Sequence, residues 1–108
     1  MSKKHTLEKL YETVLSRKGT DPKKSYSAKL FKRGRKKIAQ KLGEEAAELI
    51  IEAIDDKKKL ATSESADLLF HIIMLWADMG IKPKDVMKEL EDRMGVSGIE
   101  EKENRGKE

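Results

Sequence analysis

The chain has 108 residues, enough for one small domain, and a net charge of +4. Its 37% hydrophobic content against 41% charged residues gives little material for a core, so we expect two copies to associate through an apolar face. The lack of cysteine excludes disulfides and thiolate metal sites. No apolar stretch approaches the ~20 residues of a membrane span, and residues 1–18 lack the apolar core of a secretion signal. We therefore expect a cytoplasmic protein that does not enter a membrane.

Two helices are predicted in the first third of the chain. Apolar residues recur every three or four positions from Leu7 to Leu15, which predicts an amphipathic helix over 6–18 with Thr6 as its N-cap. A polar loop follows, in which aspartate and proline stand together. A short helix then runs from residue 25 or 27 to 33 and ends before Gly34.

Three longer helices are predicted in the rest of the chain, over 35–55, 60–79 and 83–94. The middle one is apolar on nearly all sides from Leu68 to Ala77, which is typical of a helix buried on most faces. Because no strand pattern is found, the sequence predicts an all-α domain over 1–95, a small bundle of about five helices, and a charged tail over 96–108. We expect a homodimer whose four-helix core is built from both chains.

Two acidic motifs lie on consecutive predicted helices and border their apolar stripes. Their closely spaced pairs are Glu45 with Glu48 and Glu64 with Asp67, and Glu44 precedes the first pair. Carboxylates three residues apart share one side of a helix, so two such helices packed together would bring both pairs into one pocket. Close carboxylates repel unless a cation joins them, and an all-oxygen cluster suits Mg²⁺ or Mn²⁺. For either motif alone, a solvated glutamate-rich face is the alternative.

A basic segment precedes the first acidic motif. Between Lys18 and Lys41 the only acid is Asp21, among many lysines and arginines. Three interpretations are open: a solvated face, a nucleic-acid-binding surface, or capture of a small polyphosphate. The neighbouring carboxylates favour the polyphosphate, because they would repel a nucleic-acid backbone unless metal ions intervened. Aromatic residues for stacking on bases are also scarce, at 5% of the chain.

His71 lies one helical turn after Asp67 on the apolar fourth helix. A lone histidine on an apolar face is more often a core residue with a satisfied hydrogen bond than a ligand. The spacing also allows its imidazole to hydrogen-bond the Asp67 carboxylate and orient it behind a metal ion. Both interpretations are kept open.

Three segments of the chain together resemble one family. They are Ser25-Tyr26-Ser27-Ala28-Lys29-Leu30, Lys41-Leu42-Gly43-Glu44-Glu45-Ala46-Ala47-Glu48 and Glu64-Ser65-Ala66-Asp67-Leu68-Leu69-Phe70-His71. The order of the acidic motifs is similar to the all-α nucleoside triphosphate pyrophosphohydrolase superfamily, which includes MazG-type enzymes and dimeric dUTPases. The three segments resemble the phosphoribosyl-ATP pyrophosphohydrolase family within it, as does the tail from Ser97 to Arg105. Phe70 stands where many members have tyrosine.

The resemblance implies an enzyme of histidine biosynthesis that hydrolyses the α–β phosphoanhydride of phosphoribosyl-ATP, giving phosphoribosyl-AMP and pyrophosphate with the help of Mg²⁺. It implies catalytic roles for Glu45 and for Glu44, which would align or deprotonate the attacking water. The implied substrate-binding residues are Ser25, Tyr26, Lys29 and Lys41.

The tail residues Lys102 and Arg105 are expected to fold over the substrate. Two alternatives stay open: a broad-specificity MazG-type pyrophosphohydrolase, and a basic helical module that binds nucleic acid.

Overall fold

The structure is a computed structural model that describes residues 5–94. These residues form five α-helices and no strand, which confirms the predicted all-α class. The helices are α1 (Thr6–Arg17), α2 (Tyr26–Arg33), α3 (Arg35–Ile54), α4 (Lys58–Met79) and α5 (Pro83–Arg93). Each predicted boundary lies within two residues of the observed one. The expected roles of Lys102 and Arg105 lie outside the described residues.

Side-chain caps fix the starts of the first two helices. The predicted N-cap Thr6 is wrong: the residue before it, His5, caps α1 by accepting a hydrogen bond from the Leu7 amide at 3.2 Å. Ser25 caps α2, where its Oγ accepts from the Ala28 amide at 3.1 Å. The Ser25 hydroxyl keeps its own proton free to donate, so capping does not prevent a contact with an anion.

Glycines end α2 and α4 in conformations that other residues rarely adopt. Gly34 has φ 94° and turns the chain from α2 directly into α3, while Gly80 has φ 77° and takes the left-handed position that closes α4. A Cβ atom would be strained in both backbones. The corner at Gly34 brings the basic helix α2 against the first half of α3.

The helices α3 and α4 form an antiparallel hairpin with the most extensive packing in the chain. Its closed end is the short connection at 55–57, and its open end is held by an ion pair. There, Arg35 Nε donates to Asp78 Oδ2 at 2.8 Å, and a second guanidinium nitrogen donates to the Asp78 backbone carbonyl at 3.2 Å. The first residue of α3 therefore stays beside the end of α4.

The core draws on the four helices α1 to α4. Its buried members are Val14, Leu30, Ile38, Ile73, Met74 and Ala77. Helix α4 contributes more of these buried side chains than any other helix, as its apolar sequence predicted. This core places α1 on α4 and α2 on α3, and α5 packs against α1.

An apolar face remains uncovered near the closed end of the hairpin. Ile50, Ile51 and Ile54 of α3 are 59%, 61% and 79% exposed, and Leu60 at the start of α4 is 51% exposed. Exposed apolar side chains concentrated in one region of a small protein mark a surface that another molecule covers. Within residues 5–94 no helix has the length and apolar content needed to cross a bilayer.

Candidate metal and phosphate site

Three of the four carboxylates predicted to bind metal meet between α3 and α4. Glu45 and Glu48 lie one turn apart on α3, Glu64 faces them from α4, and one ligand oxygen from each lies within 4.8 Å of the others. The i, i+3 spacing places the two α3 side chains on one side of the helix, and the antiparallel hairpin supplies the third. The sequence predicts four carboxylates in one pocket, and the structure brings three of them together.

Glu64 lies at the buried centre of this cluster. It is 7% exposed, and its Oε2 is buried without a hydrogen-bond partner among the described residues. Hydrogen bonding to Glu45, then to Glu48, and then burial raise the pKa of Glu64 to about 8. A buried oxygen without a partner, in a cluster that offers only carboxylates, fits a divalent cation.

Asp67 does not join the other three carboxylates in the single chain. It lies one turn after Glu64 on α4, is exposed, and is not part of the group whose oxygens lie within 4.8 Å. Its role as a metal ligand therefore stays a prediction.

Glu52 is an acid to which the sequence assigned no role: it lies one turn after Glu48, and its Oε2 is buried without a hydrogen-bond partner among the described residues. The i, i+4 spacing from Glu48 was the available signal.

His71 connects α4 to the start of α2. Its Nδ1 lies 2.7 Å from the backbone carbonyl of Asp67, and its Nε2 lies 3.1 Å from the Tyr26 hydroxyl. The sequence predicted a contact with the Asp67 carboxylate, but the observed partner is the Asp67 main chain. A carbonyl only accepts, so Nδ1 donates; in the neutral ring, Nε2 then accepts the proton of Tyr26. The Tyr26 oxygen is left as an acceptor.

Glu44 points to a pair of side chains on its own helix. Its carboxylate accepts a hydrogen bond from Gln40 at 3.1 Å and pairs with the Lys41 ammonium at 3.3 Å. The Gln40 hydrogen bond, followed by the Lys41 interaction, lowers the pKa of Glu44. A lowered pKa keeps this carboxylate ionised and makes it a weaker base. Its role toward the attacking water stays a prediction.

Two basic depressions lie along α2, and the inner one reaches Lys41, one helical turn before Glu45 of the carboxylate cluster. The inner cavity, of about 150 Å³, lies between α2 and α3 and is lined by Tyr26, Lys29, Leu30, Arg33, Lys37 and Lys41. The outer depression, of about 670 Å³, is lined by Pro22, Lys23, Lys24, Ser25, Tyr26, Lys29, Lys32 and Arg33. All four substrate-binding residues predicted from the sequence line one or both.

The inner cavity also contains two cations that the sequence did not single out. Arg33 stands at the end of α2 and Lys37 stands one turn into α3. Both lie within the basic segment, but nothing in the order of residues distinguishes them from its other lysines and arginines. Only the corner at Gly34 brings them to one cavity.

An all-helical hairpin with facing carboxylates beside a cation-lined cavity defines a class: helical proteins equipped for a metal ion and a phosphate-bearing ligand. Comparison with known proteins gives the particular family. Residues 7–94 match the family described as phosphoribosyl-ATP pyrophosphohydrolase, and the chain belongs to it.

Individual relatives support this assignment, and all three below are named phosphoribosyl-ATP pyrophosphatase. The chain is 56% identical to the protein of Paramagnetospirillum magneticum, covering 94% of this chain and 93% of the relative. It is 57% identical to that of Azospirillum brasilense, over 92% of this chain and 89% of the relative. For Gluconobacter oxydans the identity is 56%, over 94% of this chain and 77% of the relative.

Proposed function

We propose that this chain hydrolyses phosphoribosyl-ATP to phosphoribosyl-AMP and pyrophosphate, the second step of histidine biosynthesis. The observation that carries the proposal is the meeting of three carboxylates from two helices, one helical turn along α3 from a cavity lined by cations. The family match and the names of the relatives give the substrate. In the reaction that we propose, a water molecule loses a proton to the solvent as its oxygen bonds to the α-phosphorus, and the bond to the bridging oxygen breaks. The bridging oxygen leaves with the β-phosphate.

Mg²⁺ is the cation that we assign to the carboxylate cluster, and Mn²⁺ has similar ligand preferences. Glu45, Glu48 and Glu64 would hold it, with Asp67 as the fourth predicted ligand. A bound Mg²⁺ would polarise phosphate oxygens and lower the pKa of a coordinated water. Glu44 would align the attacking water from the edge of the cluster.

The substrate contacts that we propose follow the donors and acceptors of each side chain. Lys29 and Lys41 would neutralise phosphate oxygens, and the Ser25 hydroxyl has a proton to donate. With its own proton donated to His71, Tyr26 can only accept, which suits a ribose hydroxyl better than a phosphate oxygen. His71 would thus position Tyr26.

A homodimer is the second part of the proposal. The exposed isoleucines of α3 and Leu60 of α4 lie on the hairpin that also carries the carboxylates. Pairing two hairpins through this face would bury them in a four-helix core. We place the enzyme in the cytoplasm, where nucleotide substrates of biosynthesis are found.

The experiment that tests the activity is a pyrophosphate-release assay. Phosphoribosyl-ATP is supplied with Mg²⁺, and again with a chelator in place of the metal. ATP and dUTP are compared at equal concentration. We expect release that depends on Mg²⁺ and strongly favours phosphoribosyl-ATP. Equal turnover of all three nucleotides would instead identify a broad-specificity pyrophosphohydrolase.

A further inference from the structure

One face of α3 changes from basic to acidic along its length. Lys37 and Lys41 are followed on the same side by Glu45 and Glu48, all within about 80° around the helix at ~100° per residue. At 1.5 Å per residue, Lys41 is about 6 Å and Lys37 about 12 Å along the axis from Glu45. The basic half lies against α2, and the acidic half lies against Glu64 of α4.

The second helix completes the basic half. Lys29 and Arg33 are four residues apart on α2, so they project from one side and face the inner cavity with the two lysines of α3. No acid lines this cavity among the described residues. The nearest compensation is Glu44, which pairs with Lys41. Four like charges gathered from two helices are unfavourable until an anion joins them.

Lys41 joins the two halves of this face electrostatically. Its pKa is raised, first by the hydrogen bond to Glu44 and then by the charges of Glu44 and Tyr26, with a smaller contribution from Glu45. Lys41 lines the inner cavity and lies one helical turn before Glu45 on α3, so its side chain stands between the cavity and the carboxylate cluster. A phosphate chain that starts at the carboxylate cluster therefore reaches the cavity within one helical turn.

We propose that the inner cavity is the site of the departing pyrophosphate, and that Arg33 and Lys37 are its specific ligands. This inference rests on the proposed hydrolysis of phosphoribosyl-ATP. The β- and γ-phosphates are bonded directly to the atom where the anhydride breaks, whereas the 5-phosphate of the phosphoribosyl group lies beyond the whole nucleoside. Negative charge grows on the bridging oxygen as the anhydride opens, so cations placed there stabilise the transition state.

The size and chemistry of the cavity suit this ligand. Its volume of about 150 Å³ exceeds that of a single water, whose share of the liquid is about 30 Å³. The guanidinium of Arg33 offers a planar pair of donors that matches two phosphate oxygens, while Lys37 supplies a compact charge. Leu30 is the apolar residue of the cavity lining.

The test is a calorimetric titration of metal-free protein with inorganic pyrophosphate. Arg33→Gln and Lys37→Gln are compared with Lys36→Gln, which removes the same charge from an exposed neighbour that does not line the cavity. Losing one charged hydrogen-bonding partner should weaken pyrophosphate binding about tenfold in each cavity variant. Lys36→Gln should change it by less than about twofold, because its charge is screened by solvent. Lys37→Arg should keep most of the affinity.

A second titration, with ribose 5-phosphate, distinguishes the two phosphate ends of the substrate. We expect the affinity for ribose 5-phosphate to change by the same factor in Arg33→Gln, Lys37→Gln and Lys36→Gln. The assignment would be overturned if ribose 5-phosphate binding were lost in the two cavity variants but not in Lys36→Gln. It would also be overturned by equal pyrophosphate affinity in all three glutamine variants, or by undetectable binding of pyrophosphate to the unmodified protein.

Because these titrations need no turnover, their outcome is separable from that of the activity assay. Normal hydrolysis with unchanged pyrophosphate binding in the variants would reject only the assignment of the inner cavity to pyrophosphate. Selective binding without hydrolysis would reject the proposed function, and with it the departing pyrophosphate, and would leave only a cavity that binds pyrophosphate. Pyrophosphate should also inhibit turnover less strongly in Arg33→Gln and Lys37→Gln than in Lys36→Gln.

Discussion

Glu64 is the side chain in which folding and metal binding conflict most directly. The residue is 7% exposed, and its carboxyl group faces Glu45 and Glu48. In the metal-free chain a proton kept on Glu64 allows hydrogen bonding to Glu45 and Glu48, and this hydrogen bonding, followed by burial, raises the pKa of Glu64 to about 8. A divalent cation replaces that proton and satisfies the same oxygens.

The stability of the metal-free protein should therefore fall as pH rises. The folded pKa of Glu64, about 8, lies above its ordinary value of 4.5, so folding takes up a proton between these limits. Its contribution is fully present below about pH 4.5 and is lost as pH rises through about 8. Thermal melts with a chelator across this range should show a larger decline for the native chain than for Glu64→Gln. Equal declines would contradict the shared proton.

The three clustered carboxylates should be needed for Mg²⁺ rather than for folding. Glu45→Gln keeps the shape of the side chain and removes one anionic ligand, so turnover should fall by about 100-fold or more while the helix content is unchanged. The matched control is Glu91→Gln, which removes a carboxylate from the exposed face of α5. The measurements are Mg²⁺ titrations of activity and circular dichroism. Near-normal activity of Glu45→Gln would remove Glu45 from the metal site.

Asp67→Asn is the informative companion, because Asp67 is exposed in the single chain and lies outside the cluster. If the Asp67 carboxylate turns to the metal when substrate or a second subunit is present, Asp67→Asn should lose as much Mg²⁺-dependent turnover as Glu45→Gln. Its helix content should again be unchanged. Near-normal activity would leave only three protein ligands.

At the scale of the helices, two glycines have opposite expected effects. Gly80 closes α4 with φ 77°, so Gly80→Ala should lower the free energy of unfolding by about 1 kcal/mol. Gly43 lies inside α3, and a Cβ there would meet no side chain or neighbouring element within 4 Å among residues 5–94. Gly43→Ala should therefore raise the free energy of unfolding by about 0.5–1 kcal/mol. Urea denaturation measures both.

A glycine inside a helix can allow close approach of another helix or of substrate. Among residues 5–94 nothing fills the space beside Gly43, so such a neighbour would come from outside this part of the chain. If Gly43→Ala stabilises the fold but lowers turnover, substrate or a second subunit approaches this backbone. Unchanged turnover would show that the position is only a weak point of the helix.

The helices could be predicted closely because their signals are local. Apolar periodicity, Pro83 and the glycines at 34 and 80 act within a few residues of each other, and the observed boundaries follow them. The meeting of Glu45, Glu48 and Glu64 followed from two local spacings and one short connection. The N-cap at His5 was missed because histidine is an uncommon cap.

The cavity cations were less accessible to sequence reasoning. The convergence of Arg33 with Lys37 depends on the angle between α2 and α3, which the backbone at Gly34 sets and a helical wheel does not contain. The hydrogen bond of His71 to Tyr26 joins residues that are 45 positions apart. The position of Asp67 relative to the cluster depends on side-chain packing across the hairpin, which residue spacing leaves undetermined.

For the whole molecule, the uncovered isoleucines of α3 predict self-association. Ile51 is 61% exposed within the single chain, so Ile51→Asp should leave the helical fold intact and separate the subunits. Leu90→Asp is the control, because Leu90 is 47% exposed on α5, away from the hairpin. Sedimentation at micromolar concentration should show two chains for the native protein and for Leu90→Asp, and one for Ile51→Asp. A native monomer would contradict the proposed dimer.

The ion pair between Arg35 and Asp78 has a consequence for how solution conditions act on the whole enzyme. The α3–α4 hairpin is joined covalently at 55–57, and at its opposite end the ion pair lies within a few residues of the buried side chains Ile38, Met74 and Ala77. Rising ionic strength weakens a charge pair near the surface and leaves apolar packing in place. Dissolved salt therefore weakens this one contact, and the buried core keeps α3 against α4 at the end where α3 begins.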